Sequence, residues 1–162
     1  MSPGTLHFFC GRIASGKTTA ARALAADLHA VMICEDEWLA GLFDGAQTFE
    51  QYLDRRKRIR SILEVQVPQV LAAGASVVFD FAGNTRGDRG WARSLADAAG
   101  ARHALHVLSA DESTCRDRLK VRNETQPAGI YWGPVSEQLF DQVNAYFQAP
   151  QLDEDLTIAA VR

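Results

Sequence analysis

Gly11-Arg12-Ile13-Ala14-Ser15-Gly16-Lys17-Thr18 is the stretch on which the reading of this 162-residue chain turns. It satisfies the spacing G-x-x-x-x-G-K-[ST] at every required position. It stands between an apolar run, Thr5 to Cys10, and a stretch with Ala and Leu at helical spacing, Thr18 to His29. A strand, a glycine-bearing loop and a helix in that order aim the loop N–H groups and the helix N-terminus at one point, which makes a cradle for phosphate. Gly11 and Gly16 allow torsions and close approaches that a Cβ would forbid. Lys17 carries a point charge on a long stem toward β- and γ-phosphates, and the Thr18 hydroxyl is a hard oxygen ligand for Mg²⁺. The stretch predicts a nucleoside triphosphate site built from Gly11, Ala14, Ser15, Gly16, Lys17, Thr18 and Thr19.

Working outward, strands and helices alternate. Ala30 to Cys34 is a second buried strand, followed by a short polar helix near Asp36 to Phe43. A long helix spans Gln47 to Ala73, with Pro68 expected to kink it and Gly74 to end it. Ser76 to Phe81 runs Val77-Val78-Phe79 without a polar break, as in a parallel sheet covered on both faces. A helix over Arg86 to Ala99, a strand over His103 to Leu108 and a helix over Asp111 to Arg122 come next. Asn123 to Pro134, with two Gly and two Pro, reads as a mobile loop. Ser136 to Phe147 is a helix and Leu156 to Val161 a last strand. This order predicts a doubly wound α/β chain.

Composition narrows the choices. Apolar residues are 47% and charged residues 23% of the chain, close to globular averages. The longest apolar runs are too short to span a bilayer, and Met1-Ser2-Pro3-Gly4 has no basic region of the kind that begins a signal peptide. The expected compartment is the cytoplasm, with no membrane partner. A net charge of −3 lacks the basic surplus of a protein that grips a nucleic-acid backbone. Cys10, Cys34 and Cys115 fit no zinc spacing and read as small buried hydrophobes.

Which chemistry follows nucleotide binding is decided by three further features. The Asn-Lys-x-Asp guanine reader of GTPases is missing. Motor ATPases set a glutamate after the strand-end aspartate to activate water, but here Phe81 follows Asp80. An acidic pair, Asp36-Glu37, follows the second strand on the sheet edge where open α/β folds bind ligands. A carboxylate beside the γ-phosphate is what orients and deprotonates an acceptor hydroxyl in a kinase.

Several segments in order carry a family resemblance: Gly11 to Thr18, Cys34-Glu35-Asp36-Glu37-Trp38, Val77-Val78-Phe79-Asp80, and Asn84-Thr85-Arg86 leading to Arg89. Arg118-x-x-x-Arg122-Asn123 and Phe147-Gln148-Ala149-Pro150 before Asp153-Glu154 complete it. The chain resembles the small P-loop kinases that include chloramphenicol phosphotransferase, the zeta toxins and the kinase domains of polynucleotide 5′-hydroxyl kinases. The resemblance implies that Asp36 is the base and that Arg118 and Arg122 of a lid helix clamp the phosphates. It also implies that 150–155 borders the adenine. Asp80 is either a carboxylate supporting the metal or one fixing Asn84 and Arg86. Polynucleotide kinases carry an arginine shortly after the base, where Leu39 stands here, which speaks against a nucleic-acid substrate.

Other residues keep two readings at this stage. Arg56 and Arg60, at i and i+4, either point into the cleft toward an anionic substrate or form a solvated face. Trp38 and Phe43 line an acceptor pocket or join the core, and Tyr131 and Trp132 cover the site or form a surface turn. His103 and His106 read as structural.

The expectation is one domain over 1–162 with the P-loop NTPase fold. Its parallel sheet has five strands in the order 2-3-1-4-5, with helices on both faces and a small helical lid at about 111–134. The expected function is transfer of the ATP γ-phosphoryl group, with Mg²⁺ at Thr18 and Asp80, to a hydroxyl of a small molecule. The catalytic residues would be Lys17, Asp36, Arg118 and Arg122. The alternatives are a nucleic-acid 5′-hydroxyl kinase and a non-catalytic ATP-binding sensor. The acceptor and the oligomeric state leave no sequence signature.

Overall fold

The computed structural model describes residues 2–43, 48–128 and 133–159, the side chain of Phe49 excepted. Among them the sheet is parallel throughout, in the order β2-β3-β1-β4, where β1 is Thr5–Cys10, β2 Val31–Cys34, β3 Val77–Ala82 and β4 Arg102–Val107. Six α-helices join and cover the strands: α1 (Lys17–Leu28), α2 (Glu35–Leu42), α3 (Phe49–Ala72), α4 (Arg86–Ala98), α5 (Glu112–Thr125) and α6 (Glu137–Ala145).

Alternate residues of the central strands feed opposite layers, as strand geometry requires. Leu6, Phe8, Phe79 and Phe81 pack on one face with Ile59, Leu63, Val67 and Leu71 of α3 and with Ala92, Leu95 and Ala96 of α4. Phe9 and Val78 face the other way, onto Ala21 and Ala25 of α1. A third cluster joins Cys115 and Leu119 of α5 to Val135 and to Phe140 of α6, with Ile13 and Ala14 of the glycine-bearing loop against it. That cluster seats α5 beside the loop.

Local sequence sets the helix boundaries. Thr48 and Gln51 form a reciprocal capping box at the start of α3. Thr85, Asp111 and Ser136 each accept a backbone N–H at the start of α4, α5 and α6. Gly74 ends α3 as expected, with φ 91° and its N–H on the Leu71 carbonyl. Pro68 lies inside α3, which continues past it to Ala72. Asn123 to Thr125 extend α5 rather than opening a loop.

The fifth strand is a correction. In place of a strand over Leu156 to Val161 there is a single parallel bridge between Leu105 and Ile158. The Leu105 N–H donates to Thr157 O at 2.8 Å and the Ala159 N–H to Leu105 O at 2.8 Å. The ladder stops there because the Thr157 N–H is turned onto His103 Nε2 at 3.1 Å, and Asp155 just upstream has a left-handed φ of 53°. Ala160 and Val161 lie outside the described residues. No helix among the described residues is long and apolar enough to cross a membrane.

Candidate active site

The site begins where β1 runs into α1. Gly16 has φ 98°, a value that favours glycine, and α1 starts from it with no side-chain cap. Its first N–H groups therefore stay available for an anion. Gly11 is fixed by space rather than torsion: an added Cβ would fall 2.6 Å from Ser15 Oγ and 3.1 Å from Leu108 O. The Gly11 N–H donates to Asn84 Oδ1 at 2.9 Å, which ties the loop to the turn after β3. Ala14 takes a left-handed φ of 60°, and the buried Ser15 hydroxyl has no protein partner among the described residues. An uncapped helix start, an orphaned hydroxyl and a cradle that a Cβ would fill together fit a bound triphosphate.

Lys17 is half-buried and curls back on the loop, its Nζ donating to Gly11 O at 2.6 Å and Arg12 O at 2.7 Å. Burial pulls its ammonium below the usual lysine range, while the Asp80 and Asp36 carboxylates act in the opposite direction. Thr18 and Thr19 follow in the first turn of α1, Thr18 half-buried and Thr19 exposed.

Both arginines of α5 reach this site. Arg118 Nη1 lies 3.2 Å from Ser15 O and 3.5 Å from Ala14 O. One turn further on, Arg122 Nη2 is 3.5 Å from Asp36 Oδ2. Asp36 and the glycine-bearing loop are thus bridged by two residues four apart on one helix face. The structure brings Lys17, Asp36, Arg118 and Arg122 into one neighbourhood.

Asp80 sits buried at the end of β3 and accepts a hydrogen bond from the Cys34 thiol at 3.3 Å. Burial and the nearby Asp80 carboxylate push the Cys34 thiol up to about 12, so it remains a donor. Among the described residues no hydrogen bond joins Asp80 to Asn84, whose Oδ1 accepts from Gly11, or to Arg86, which pairs with Asp153 at 2.8 Å. All three cysteines are free and buried.

Arg56 and Arg60 do not form a solvated face. Arg56 Nε donates to Glu35 Oε1 at 2.8 Å and Arg56 Nη2 to Asp88 Oδ1 at 3.1 Å; Arg60 Nη2 donates to Asp88 Oδ1 at 2.6 Å. All four side chains are largely buried. Arg60 also covers the Trp91 ring at 4.2 Å. Sequence reasoning missed Glu35 and Asp88 as partners. The segment Thr85-Arg86-Gly87-Asp88 is a capping signature that could have placed Asp88 at a helix start, but nothing local points it at α3.

A second missed pair anchors the C-terminal segment. Arg89, wholly buried, makes a two-pronged contact with Glu154 (2.7 and 2.6 Å) and donates to Gly83 O and Gln148 O. Trp38 and Phe43 pack against the core, and Leu39 is 2% exposed within it. His103 accepts from Thr157 and His106 contacts His7, both structural roles as expected. Tyr131 and Trp132 lie outside the described residues.

This geometry defines an α/β P-loop protein with a kinase-like layout, and comparison with known proteins agrees. The model of the AAA domain family AAA_33 matches residues 6–150, and the chain belongs to that family. No curated protein matches the sequence. Among solved structures, a candidate kinase from Chloroflexus aurantiacus J-10-fl superposes with a TM-score of 0.78 at 20% identity, covering 99% of this chain and 88% of its own. Kti12 of Chaetomium thermophilum, in complex with ADP-AlF3, gives 0.68 at 20% identity over 96% and 88% of the two chains. The APS kinase CysC of Mycobacterium tuberculosis, in complex with AMPPNP and APS, gives 0.62 at 16% identity over 93% and 86%. At these identities the likeness establishes the fold.

Proposed function

We propose that the protein is an ATP-dependent kinase that phosphorylates a hydroxyl group of a small molecule. The observation that carries this reading is the α5 bridge: Arg118 rests on the phosphate loop while Arg122 rests on Asp36. A carboxylate and a phosphate cradle joined in this way suit direct transfer between two bound substrates.

Lys17 and the loop amides of Gly11 to Thr19 hold the triphosphate. Lys17 and Arg118 release their main-chain carbonyls for phosphate oxygens, a stronger acceptor. Thr18 and Asp80 are the residues that would hold Mg²⁺, which neutralises charge on the phosphates. When Arg122 turns to the transferring group, its contact with Asp36 gives way to the acceptor. The acceptor oxygen forms its bond to the γ-phosphorus as the bond from that phosphorus to the β–γ bridging oxygen breaks. The acceptor proton passes to Asp36, and ADP leaves. Segment 111–134 serves as the lid in this reading, within one domain over 1–162.

A nucleic-acid 5′-hydroxyl acceptor is disfavoured by Leu39, since the place of a phosphate-holding arginine is occupied by a core residue. The test incubates the protein with Mg²⁺, γ-labelled ATP and a metabolite library, alongside Asp36→Ala. Label is expected in a new product with the wild type. Asp36→Ala should keep nucleotide affinity and lose transfer. Label found only in free phosphate, at a rate indifferent to Asp36→Ala, would remove the kinase reading.

A further inference from the structure

The cations at this end of the molecule fall into two groups that differ in what they are bonded to. Lys17 and Arg118 rest on uncharged main-chain carbonyls. The arginines of α1, α3 and the start of α4 are matched to carboxylates. Arg56 and Arg60 of α3 are set against Glu35 and Asp88, two cations and two anions with no formal surplus. At the start of α4, Arg86 pairs with Asp153 and Arg89 with Glu154. Arg22 of α1 pairs with Glu37, next to the base. The two internal segments outside the described residues, 44–47 and 129–132, add no lysine or arginine to the cleft, by sequence alone.

An anionic group arriving beside Asp36 would lose water and meet a carboxylate, and among the described residues the arginines there each already have a carboxylate, Arg122 having Asp36 itself. Desolvation without a matching charge is costly, and displacing Glu35 or Asp88 would strand a largely buried carboxylate in turn. A hydroxyl compound without charge meets neither cost. We infer that the phosphoryl acceptor is an uncharged hydroxyl compound, one that carries no phosphate, sulfate or carboxylate group. This rests on the kinase reading above and narrows its substrate class.

The first experiment reads binding without turnover. Protein saturated with AMPPNP and Mg²⁺ is titrated with sodium sulfate by calorimetry. The wild type is expected to show no saturable sulfate site. Asp88→Asn keeps the shape of the side chain but releases Arg56 and Arg60 from one charge, and it should gain sulfate binding at least tenfold above wild type. Saturable sulfate binding to the wild type that disappears in Arg56→Gln or Arg60→Gln would overturn the proposal. The second experiment compares matched acceptors with γ-labelled ATP: a nucleoside against its 3′-monophosphate, and a hexitol against the corresponding hexonate. Faster labelling of the uncharged member, by tenfold or more, supports the inference, and faster labelling of the anionic member overturns it. The titration stands if transfer itself fails, so the two readings can fail separately.

Discussion

The phosphate loop and the α3–α4 wall hold comparable positive charge and treat it in opposite ways. At the loop, Lys17 and Arg118 hydrogen-bond to backbone oxygens, partners that a phosphate can displace because it accepts more strongly. At the wall, Arg56 and Arg60 are held by Glu35 and Asp88 in largely buried geometry. A cation left on a carbonyl is available for a ligand, whereas one closed on a buried carboxylate is part of the fold. Arg122, on the half-exposed Asp36, stands between the two cases. The distinction separates residues whose loss should reduce turnover from residues whose loss should reduce stability.

The largest effect is expected on the turnover side. Replacing both Arg118 and Arg122 with Gln should lower kcat by about 10²–10³, since donors aimed at developing charge are worth that much. Melting should change little, because the 3.5 Å Arg122–Asp36 pair is partly exposed and such pairs contribute at most about 1 kcal/mol. Steady-state kinetics with a melting curve on the same sample check both halves. A large loss of stability with unchanged kcat would place α5 on the structural side of the comparison.

The next effect is on stability. Arg56→Gln leaves Glu35 and Asp88 with less counter-charge inside the protein, and removing one partner of a buried pair costs about 3 kcal/mol or more. Denaturant unfolding at pH 7 reads this. Glu35 already has its pKa raised by burial against the opposing pull of Arg56, so the variant should raise it further. A carboxyl with a raised folded pKa contributes stability that is present at low pH and lost as pH rises through that value. The deficit of Arg56→Gln should therefore shrink as the buffer is made more acid. A deficit that grows on acidification would show that Glu35 is not the stranded group.

The same contrast explains what could be read from the sequence. Phosphate binding needs glycine, lysine and threonine at fixed local spacing, so residues 11–18 announced the loop and its flanking strand and helix. Arg118 and Arg122 were singled out by the family resemblance, since a four-residue spacing alone would not have set them apart from Arg56 and Arg60. The wall was not: Arg56 lies 21 residues from Glu35 and 32 from Asp88, and Arg89 lies 65 from Glu154. Pairings across such separations exist only after the sheet has assembled, so four-residue periodicity on α3 looked equally like a solvated face or a ligand-binding one. The fifth strand misled for a related reason. Leu156 to Val161 has a strand's apolar content, yet the contact that stops its ladder comes from His103, on a neighbouring strand.

The smallest effect sharpens the comparison by giving it a control region. His7 lies on the α1 side of the sheet, its Nδ1 3.1 Å from His106 Nε2, and belongs to neither the loop nor the wall. Burial, with smaller contributions from His106 and Arg102, lowers its pKa to about 4. The folded state then binds fewer protons there than the unfolded chain between that value and the ordinary histidine value of about 6.5. Stability from this group is complete above about pH 6.5 and is lost as pH falls toward 4. His7→Asn should flatten the acid limb of a stability-versus-pH curve measured by urea unfolding. Turnover at pH 7.5 should be unmoved, since both forms of the protein are uncharged at that position there. A change in kcat at that pH would mean that the α1 face communicates with the phosphate loop, and the division of the molecule into exchangeable and fixed charge would then need a third member.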